Sequence, residues 1–287
     1  MIANMQMDPC LIEKHAFALV DSLCIDESYP SFLRGKPITL SGLERESHLL
    51  PRLVDLKSLS PHEKLQLLNM LDERCLLDET PPICTFFEAE VETKAMENQL
   101  ATRLLLHDGY GKYLLRFYDP RVWIQLLRLL DSGQKKAIFG SIASWTVCMN
   151  GHWLNEKKPS SEDLASWSFS TGQLKKIALI GQVNTVLAIT STQFRGGQLD
   201  DFLRSSEKAE FLLERAAQYG ISDEASLIEF ALHGMTVHSD FHRHPKIKEI
   251  ISSLDKSTYR DASGMLDDEA WQEIKSGLRQ SNGKVMK

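Results

Sequence analysis

Residues 112–122 constrain the fold most, because an apolar strand pattern in this segment runs directly into the start of a helix. Residues 112–118 are rich in aromatic and aliphatic side chains, which suit a pleated, half-buried surface. Asp119 then offers a preferred helix N-cap, and Pro120 stands at the first helical position, where no backbone N–H is needed. The sequence therefore predicts a strand over residues 112–118 and a helix that begins at Pro120.

Strand and helix patterns alternate through the first half of the chain. Apolar runs predict strands at residues 15–21, 50–56 and 83–88, and the turn residues between 106 and 112 predict a β-hairpin over 104–117. A second hairpin is predicted at Asn150-Gly151, which lies between two apolar runs. Because strands separated by helices often pair in parallel while hairpins are antiparallel, we expect a mixed β-sheet flanked by helices.

The second half of the chain changes to consecutive helical patterns. Apolar spacing predicts helices over residues 174–190, 198–219, 222–232, 245–254 and 266–277. The β-branched residues of 183–190 leave a strand open as an alternative there. A polar stretch at 156–161 is the candidate linker, so we expect an α/β lobe over 1–160 and an all-helical lobe over 161–287. The predicted fold class is α+β, or mixed α/β.

Charge and cysteine content exclude some classes of function. The net charge of −6 is shared evenly, with 18 basic against 21 acidic residues in 1–160 and 15 against 18 in 161–287, so neither half has the basic footprint of a nucleic-acid-binding domain. The 5 cysteines are scattered and include no Cys-x-x-Cys pair, which is typical of reduced thiols in a cytosolic protein. No signal peptide or membrane span is predicted, which favours a cytoplasmic location.

Two interpretations of the helix start at Asp119 remain open. In the first, Asp119 and Pro120 are structural, capping the helix while Arg121 tethers the hairpin to the rest of the lobe. In the second, the segment contributes to a partner-binding surface, since arginine and aromatic residues are enriched at interface hot spots. The candidate partner-binding residues are Arg116, Tyr118, Arg121 and Trp123.

One histidine cluster invites a metal-binding interpretation. His238 and His242 would share one face of a helix, and His244 follows closely. The glutamate of the zinc-protease pattern is absent, because Ser239 stands in its place, and the sequence nominates no distant third ligand. No catalytic nucleophile has a recognisable partner pattern, so neither a metal site nor a catalytic residue is assigned. An enzyme with a metal or dispersed carboxylate site is kept as the alternative hypothesis.

The segment around the predicted helix start at Asp119 resembles the signature of the type VI secretion effector chaperone (adaptor) family. The residues that carry the resemblance are Arg116-Phe117-Tyr118-Asp119-Pro120-Arg121-Val122, Gln134, Phe139-Gly140-Ser141-Ile142 and Trp145. The match is good from Phe17 to Trp145 and looser in the helical half. Membership would imply a cytoplasmic adaptor that holds one cognate toxin effector and promotes its loading onto the VgrG spike. The resemblance implies no cofactor and no catalytic residues.

Overall fold

A computed structural model describes residues 3–5, 11–76, 83–107, 111–149, 152–190, 192, 199–255 and 257–283. The strands are β1 (Ala3–Met5), β2 (Phe17–Val20), β3 (Arg52–Asp55), β4 (Ile83–Ala89), β5 (Leu105–His107), β6 (Lys112–Leu114), β7 (Ile142–Met149) and β8 (His152–Lys157). The α-helices are α1 (Leu11–Lys14), α2 (Pro61–Leu76), α3 (Thr93–Ala101), α4 (Pro120–Leu129), α5 (Ser132–Phe139), α6 (Thr171–Ile189), α7 (Leu199–Gln218), α8 (Glu224–Thr236), α9 (Pro245–Ser252), α10 (Tyr259–Ser263) and α11 (Asp268–Gly283).

The chain forms two compact units that divide between Leu174 and Lys175. We call the first the α+β unit and the second the helical unit. The sequence places the domain boundary earlier, near residue 160, because residues 156–161 are polar. In the structure, residues 156 and 157 still belong to β8. The segment that follows stays with the α+β unit: Lys136 Nζ donates a 2.9 Å hydrogen bond to the Ser161 carbonyl oxygen.

The main sheet is antiparallel throughout its described pairs. Six strands follow the order β1-β8-β7-β4-β2-β3, and β5 pairs with β6 in a separate two-stranded ribbon. The α+β class is therefore confirmed, while the mixed character expected of the sheet is wrong. The alternation of strand and helix patterns does not determine strand direction, since a helical connection also joins antiparallel strands. The predicted Asn150-Gly151 turn lies outside the described residues. Met149 and His152, the residues on either side of it, pair with each other in β7 and β8.

Both faces of the main sheet are buried. Phe86 and Phe87 are neighbours on β4 and so point to opposite faces. Phe86 belongs to a core cluster beneath α2 whose members include Val54, Leu67, Leu71 and Trp153. Phe87 contacts Trp145 edge to face, at 4.6 Å between ring centroids. The sheet is thus the centre of the α+β unit, with one core of mixed aliphatic and aromatic residues on the Phe86 side and an aromatic cluster on the Phe87 side.

Local sequence signals set most of the helix boundaries. The sequence Ser60-Pro61-His62-Glu63 has the pattern of a capping box, and the structure forms it at the start of α2: Ser60 N donates to Glu63 Oε2 at 2.8 Å, and Glu63 N donates to Ser60 Oγ at 3.3 Å. In the helical unit, the segment 183–190 that could have been a strand lies largely in α6. Helices α7 and α8 pack closely at Gly234, where a Cβ atom would lie 2.3 Å from Leu212 Cδ2. Among the described helices, none is both long and apolar enough to cross a lipid bilayer.

Candidate recognition surface around Arg116

The segment from Leu115 to Asp119 is a tight turn rather than the end of a strand. The pairing of β6 ends at Leu114, and Leu115 N donates to the Leu104 carbonyl oxygen at 2.8 Å. Asp119 N then donates to the Arg116 carbonyl oxygen at 2.9 Å. The predicted strand over 112–118 is therefore too long. The turn allows two successive aromatic residues to enter the core while Arg116 stays at the surface.

The aromatic residues of this segment form a rigid, buried base. Trp123 stacks on Trp145, with ring centroids 3.8 Å apart and an interplanar angle of 15°. Phe117 meets Trp145 edge to face at 5.7 Å. Trp123 is only 1% exposed and Tyr118 is fully buried, with its hydroxyl donating to the Leu49 carbonyl oxygen at 3.3 Å. Enclosed side chains offer no surface to a partner, so the predicted partner-binding role does not extend to Trp123 or Tyr118.

Asp119 caps α4, as the sequence predicts. Its Oδ1 accepts a 2.9 Å hydrogen bond from Arg121 N, and Pro120 occupies the first turn of the helix. The same carboxylate also accepts two hydrogen bonds from the Arg121 side chain. Nε donates to Oδ1 at 3.0 Å, and Nη2 donates to Oδ2 at 2.7 Å. This fork-to-carboxylate geometry is the strong form of an ion pair. Arg121 was expected to tether the hairpin to the rest of the lobe, but this ion pair joins it to its own helix cap.

Arg116 makes a long-range ion pair. Its Nη2 lies 2.5 Å from Asp21 Oδ2, and its guanidinium lies 5.6 Å from the centroid of the Tyr118 ring. Asp21 follows β2, is buried, and accepts a 3.0 Å hydrogen bond from Leu23 N. Burial lowers the pKa of Arg116, but its neighbours Tyr118, Asp21 and Asp119 together raise it by more, so the net shift is upward. Arg116 therefore stays a permanent cation held in one place.

Four side chains around this ion pair reach the surface, and we call them the Arg116 patch: Leu23, Cys24, Arg116 and Arg121. Leu23 is 57% exposed, and the side chains of Arg116 and Arg121 are 37% and 62% exposed. Burial and the charge of Asp21 raise the pKa of Cys24, so its thiol stays protonated at neutral pH and is a poor nucleophile. The patch thus combines one apolar side chain with two fixed cations. This composition suits binding of a partner better than covalent catalysis.

The histidines that invited a metal site are engaged in local structure. His238 Nδ1 accepts from Asp240 N at 3.0 Å, and His244 Nδ1 accepts from Lys246 N at 3.4 Å, capping α9. His242 is buried in the short 3₁₀ helix Phe241–Arg243. His238 and His242 were expected on one helix face, but a turn separates them. Within the described ranges, no three His, Cys, Asp or Glu side chains are arranged to hold a metal ion.

Comparison with protein-family models, with curated proteins and with solved structures found no match to this chain. The family resemblance therefore depends on the motif at residues 116–122 and its companions alone, and the function that it implies stays a prediction. The structure adds three residues that sequence reasoning missed: Asp21, Leu23 and Cys24. The available signal was weak: Asp21 is the polar residue at the end of a predicted buried strand.

Replacing Asp119 with alanine should destabilise the α+β unit by about 1–2 kcal/mol, because the cap of α4 is lost. The thermal midpoint of the purified protein measures this effect. Asp119→Asn is the matched control, since asparagine also caps helices but cannot form the ion pair with Arg121. We expect the asparagine variant to lose much less stability. An Asp119→Ala protein that melts like the wild type but no longer captures a partner would contradict the structural role.

Proposed function

We propose that this protein is a cytoplasmic adaptor that binds a cognate type VI secretion effector and promotes its loading onto the VgrG spike. The family resemblance at residues 116–122 suggests this function. The observation that supports it most is the position of the motif: its aromatic residues are buried, while Arg116 and Arg121 reach the surface beside the exposed Leu23. A motif of this kind presents fixed side chains to another protein.

The Arg116 patch has the properties of an interface centre. Arginine is enriched among the residues that dominate binding energy, and a side chain already held by an ion pair loses less conformational entropy when a partner docks. Arg116 is fixed by Asp21 and Arg121 by Asp119. The complementary partner segment would place an apolar side chain on Leu23 and a carboxylate within reach of the two guanidinium groups.

The internal ion pairs also limit affinity. A carboxylate of the effector would compete with Asp21 and Asp119 for the arginines, so part of the gain on binding would be offset. An adaptor that transfers its cargo to a spike needs such a releasable complex. We therefore expect a moderate affinity for the effector, with a marked salt dependence from the half-exposed arginines.

Arg121→Ala should weaken capture of the effector by about tenfold or more, the effect of losing an interface hot spot. The tagged protein is expressed with the product of each neighbouring gene in turn, and the dissociation constant of any complex that is purified is measured. Arg204→Ala is the matched control: Arg204 is similarly exposed and also pairs with an aspartate on its own helix, Asp201. We expect this control to bind like the wild type.

Two results would count against the proposal, and they are separable. Equal affinities of the Arg121→Ala and wild-type proteins would remove the Arg116 patch from the interface while leaving the adaptor function intact. If the wild-type protein binds neither a product of the neighbouring genes nor a purified VgrG spike, the adaptor function itself is overturned.

A further inference from the structure

A segment without helix or strand structure, residues 161–168, lies along α5 in the α+β unit, and we call it the strap. Leu164, in its middle, is 89% exposed. Glu162, Ala165 and Ser166 are exposed as well. Because these side chains point to solvent rather than to the protein, they contribute little to holding the strap in place.

Lys136 of α5 binds the first part of the strap through the backbone. Its Nζ donates hydrogen bonds to the carbonyl oxygens of Ser161 and Asp163, at 2.9 and 3.0 Å. A lysine ammonium carries three N–H donors, so two of them are used on main-chain oxygens of one short segment. Any residue at position 161 or 163 would offer Lys136 the same oxygen.

Gly133 and Gln134 of α5 bind the second part of the strap in the same way. The Gly133 carbonyl oxygen accepts a 3.2 Å hydrogen bond from Ser166 N, and Gln134 Nε2 donates to the Ser168 carbonyl oxygen at 2.5 Å. A Cβ atom at Gly133 would lie 2.7 Å from the Leu164 carbonyl oxygen, so glycine allows the two backbones to approach this closely. We call the three binding residues of α5 the cradle: Gly133, Gln134 and Lys136.

Two side chains of the strap also contact the α+β unit. The Asp163 carboxylate accepts a hydrogen bond from the Ser132 hydroxyl, and the Trp167 ring centroid lies 5.3 Å from the Arg103 guanidinium carbon. In peptide recognition, main-chain hydrogen bonds supply affinity and side-chain contacts supply specificity. The cradle should therefore bind a peptide backbone, with a preference for an acidic residue followed four positions later by an aromatic one.

Lifting the strap from the cradle breaks no helix or strand. β8 ends at Lys157, before the strap, and α6 begins at Thr171, after it. Little apolar area would be exposed, since Leu164 already faces solvent and Trp167 is only partly buried. The hydrogen bonds that are lost lie near the surface, where water takes over the freed groups at a modest net cost. A second segment that offers the same backbone groups can therefore compete with the strap.

We propose that the cradle is a binding site for a peptide backbone, and that a segment of the effector binds there by displacing the strap. This segment carries an acidic and an aromatic residue four positions apart. The identity of the ligand rests on the proposed function, whereas the cradle and its occupation by the strap do not. A tethered segment competes at a high effective concentration and lowers the apparent affinity of any external ligand. The strap thus favours a releasable complex.

The test uses a fluorescein-labelled synthetic peptide of residues 159–170 as the probe, and the full chain without any partner. In the protein, Ser166→Pro removes the N–H that binds Gly133, and Trp167→Ala removes the aromatic contact. We call this double variant the open variant. We expect its fluorescence anisotropy titration with the peptide to saturate. The wild-type protein, whose strap competes, should bind the peptide about tenfold more weakly or less.

Changes in the peptide and in the cradle identify the groups that bind. Methylation of the Ser166 nitrogen in the peptide should weaken binding to the open variant by about fivefold, because one hydrogen bond is lost. Leu164→Ser in the peptide should leave the affinity unchanged. Lys136→Met in the open variant should weaken binding by about tenfold or more, because two hydrogen bonds from a charged donor are lost. Lys135→Met, at the adjacent position of α5, is the matched control and should bind like the open variant.

Three results would overturn the cradle: no saturable binding to the open variant, equal affinities of the open variant and the wild type, and an unchanged affinity for the methylated peptide. Urea unfolding of each variant confirms that folded proteins are compared. The role of the effector is tested separately, since the open variant should capture it about tenfold more tightly than the wild type does. Equal or weaker capture would remove the effector from the cradle. Failure of the adaptor function is distinguishable, because the wild type would then capture nothing while the peptide still binds.

Discussion

Replacing Trp123 with alanine is expected to lower the free energy of unfolding of the α+β unit by about 3–5 kcal/mol, the cost of removing a large aromatic side chain from a packed core. Trp123 is 1% exposed, stacks on Trp145 and also contacts Phe139 at 5.8 Å between ring centroids. The cavity would open directly beneath α4, whose first turn carries Arg121. Urea unfolding followed by tryptophan fluorescence and near-ultraviolet circular dichroism measures the loss.

Trp167→Ala is the matched control for this substitution. Trp167 is also a tryptophan of the α+β unit, but it is only partly buried, and its ring contacts Phe169 and the guanidinium of Arg103. Because less apolar area is removed from a less enclosed site, we expect under half of the destabilisation caused by Trp123→Ala. Comparable losses in the two variants would mean that the stacked pair of Trp123 and Trp145 is not the centre of this core.

The parts of the fold that the sequence predicts are those determined by near neighbours. The cap at Asp119 and the capping box at Ser60 each depend on residues no more than three positions apart, and both are present. The α+β class likewise follows from the period of the apolar residues. Strand direction does not, since the pairing of β4 with β7 crosses three helices and a separate hairpin. Tertiary contacts decide such pairings.

The candidate site shows the same division. Sequence reasoning nominated Arg116 and Arg121, but also Tyr118 and Trp123, because aromatic residues are common both in cores and at interfaces. Burial separates the two arginines from the two aromatic residues. For Arg116 and Tyr118 it depends on the turn at residues 115–119, which cannot be recognised from the sequence because the apolar pattern predicts a continuous strand there. Asp21 lies 95 residues from Arg116 in sequence, so no local signal could have paired them.

The residues of this segment therefore form two groups with different roles. The first layer is the buried aromatic group, Phe117, Tyr118 and Trp123, which holds the turn and the start of α4 in one position. The second layer is the charged group, Arg116 and Arg121, which the first layer keeps at the surface. A substitution in the first layer should change stability and partner binding together. A substitution of Arg121 should change binding and cost less stability than a substitution in the aromatic core, since Arg121 is 62% exposed although its partner Asp119 is buried. This contrast distinguishes a recognition motif from a purely structural one.

Acid should destabilise the helical unit through His233. Its Nδ1 lies 2.8 Å from the hydroxyl oxygen of Tyr259, its Nε2 lies 3.4 Å from Glu229 Oε1, and its ring is 4.1 Å from that of Trp271. Burial in this setting lowers the pKa of His233 from 6.5 to about 4. The unfolded chain therefore binds a proton at a higher pH than the folded chain does.

The sign of the effect follows from this difference. Stability is complete above the unfolded pKa of 6.5 and is lost as the pH falls towards about 4. Each pKa unit corresponds to about 1.4 kcal/mol, so the full loss from His233 is about 3 kcal/mol. Burial also lowers the pKa of His242, which adds to the loss in the same direction. Urea unfolding, measured at intervals from neutral pH down to about pH 4, should show this decline.

Two substitutions separate the proton from the hydrogen bond. His233→Gln removes the titrating group, so its stability should start lower at neutral pH and then fall less steeply with acid than that of the wild type. Tyr259→Phe removes the same hydrogen bond but keeps the buried imidazole, so it should also start lower and retain the wild-type slope. A slope that survives in His233→Gln, or that disappears in Tyr259→Phe, would show that acid acts on the helical unit through another group.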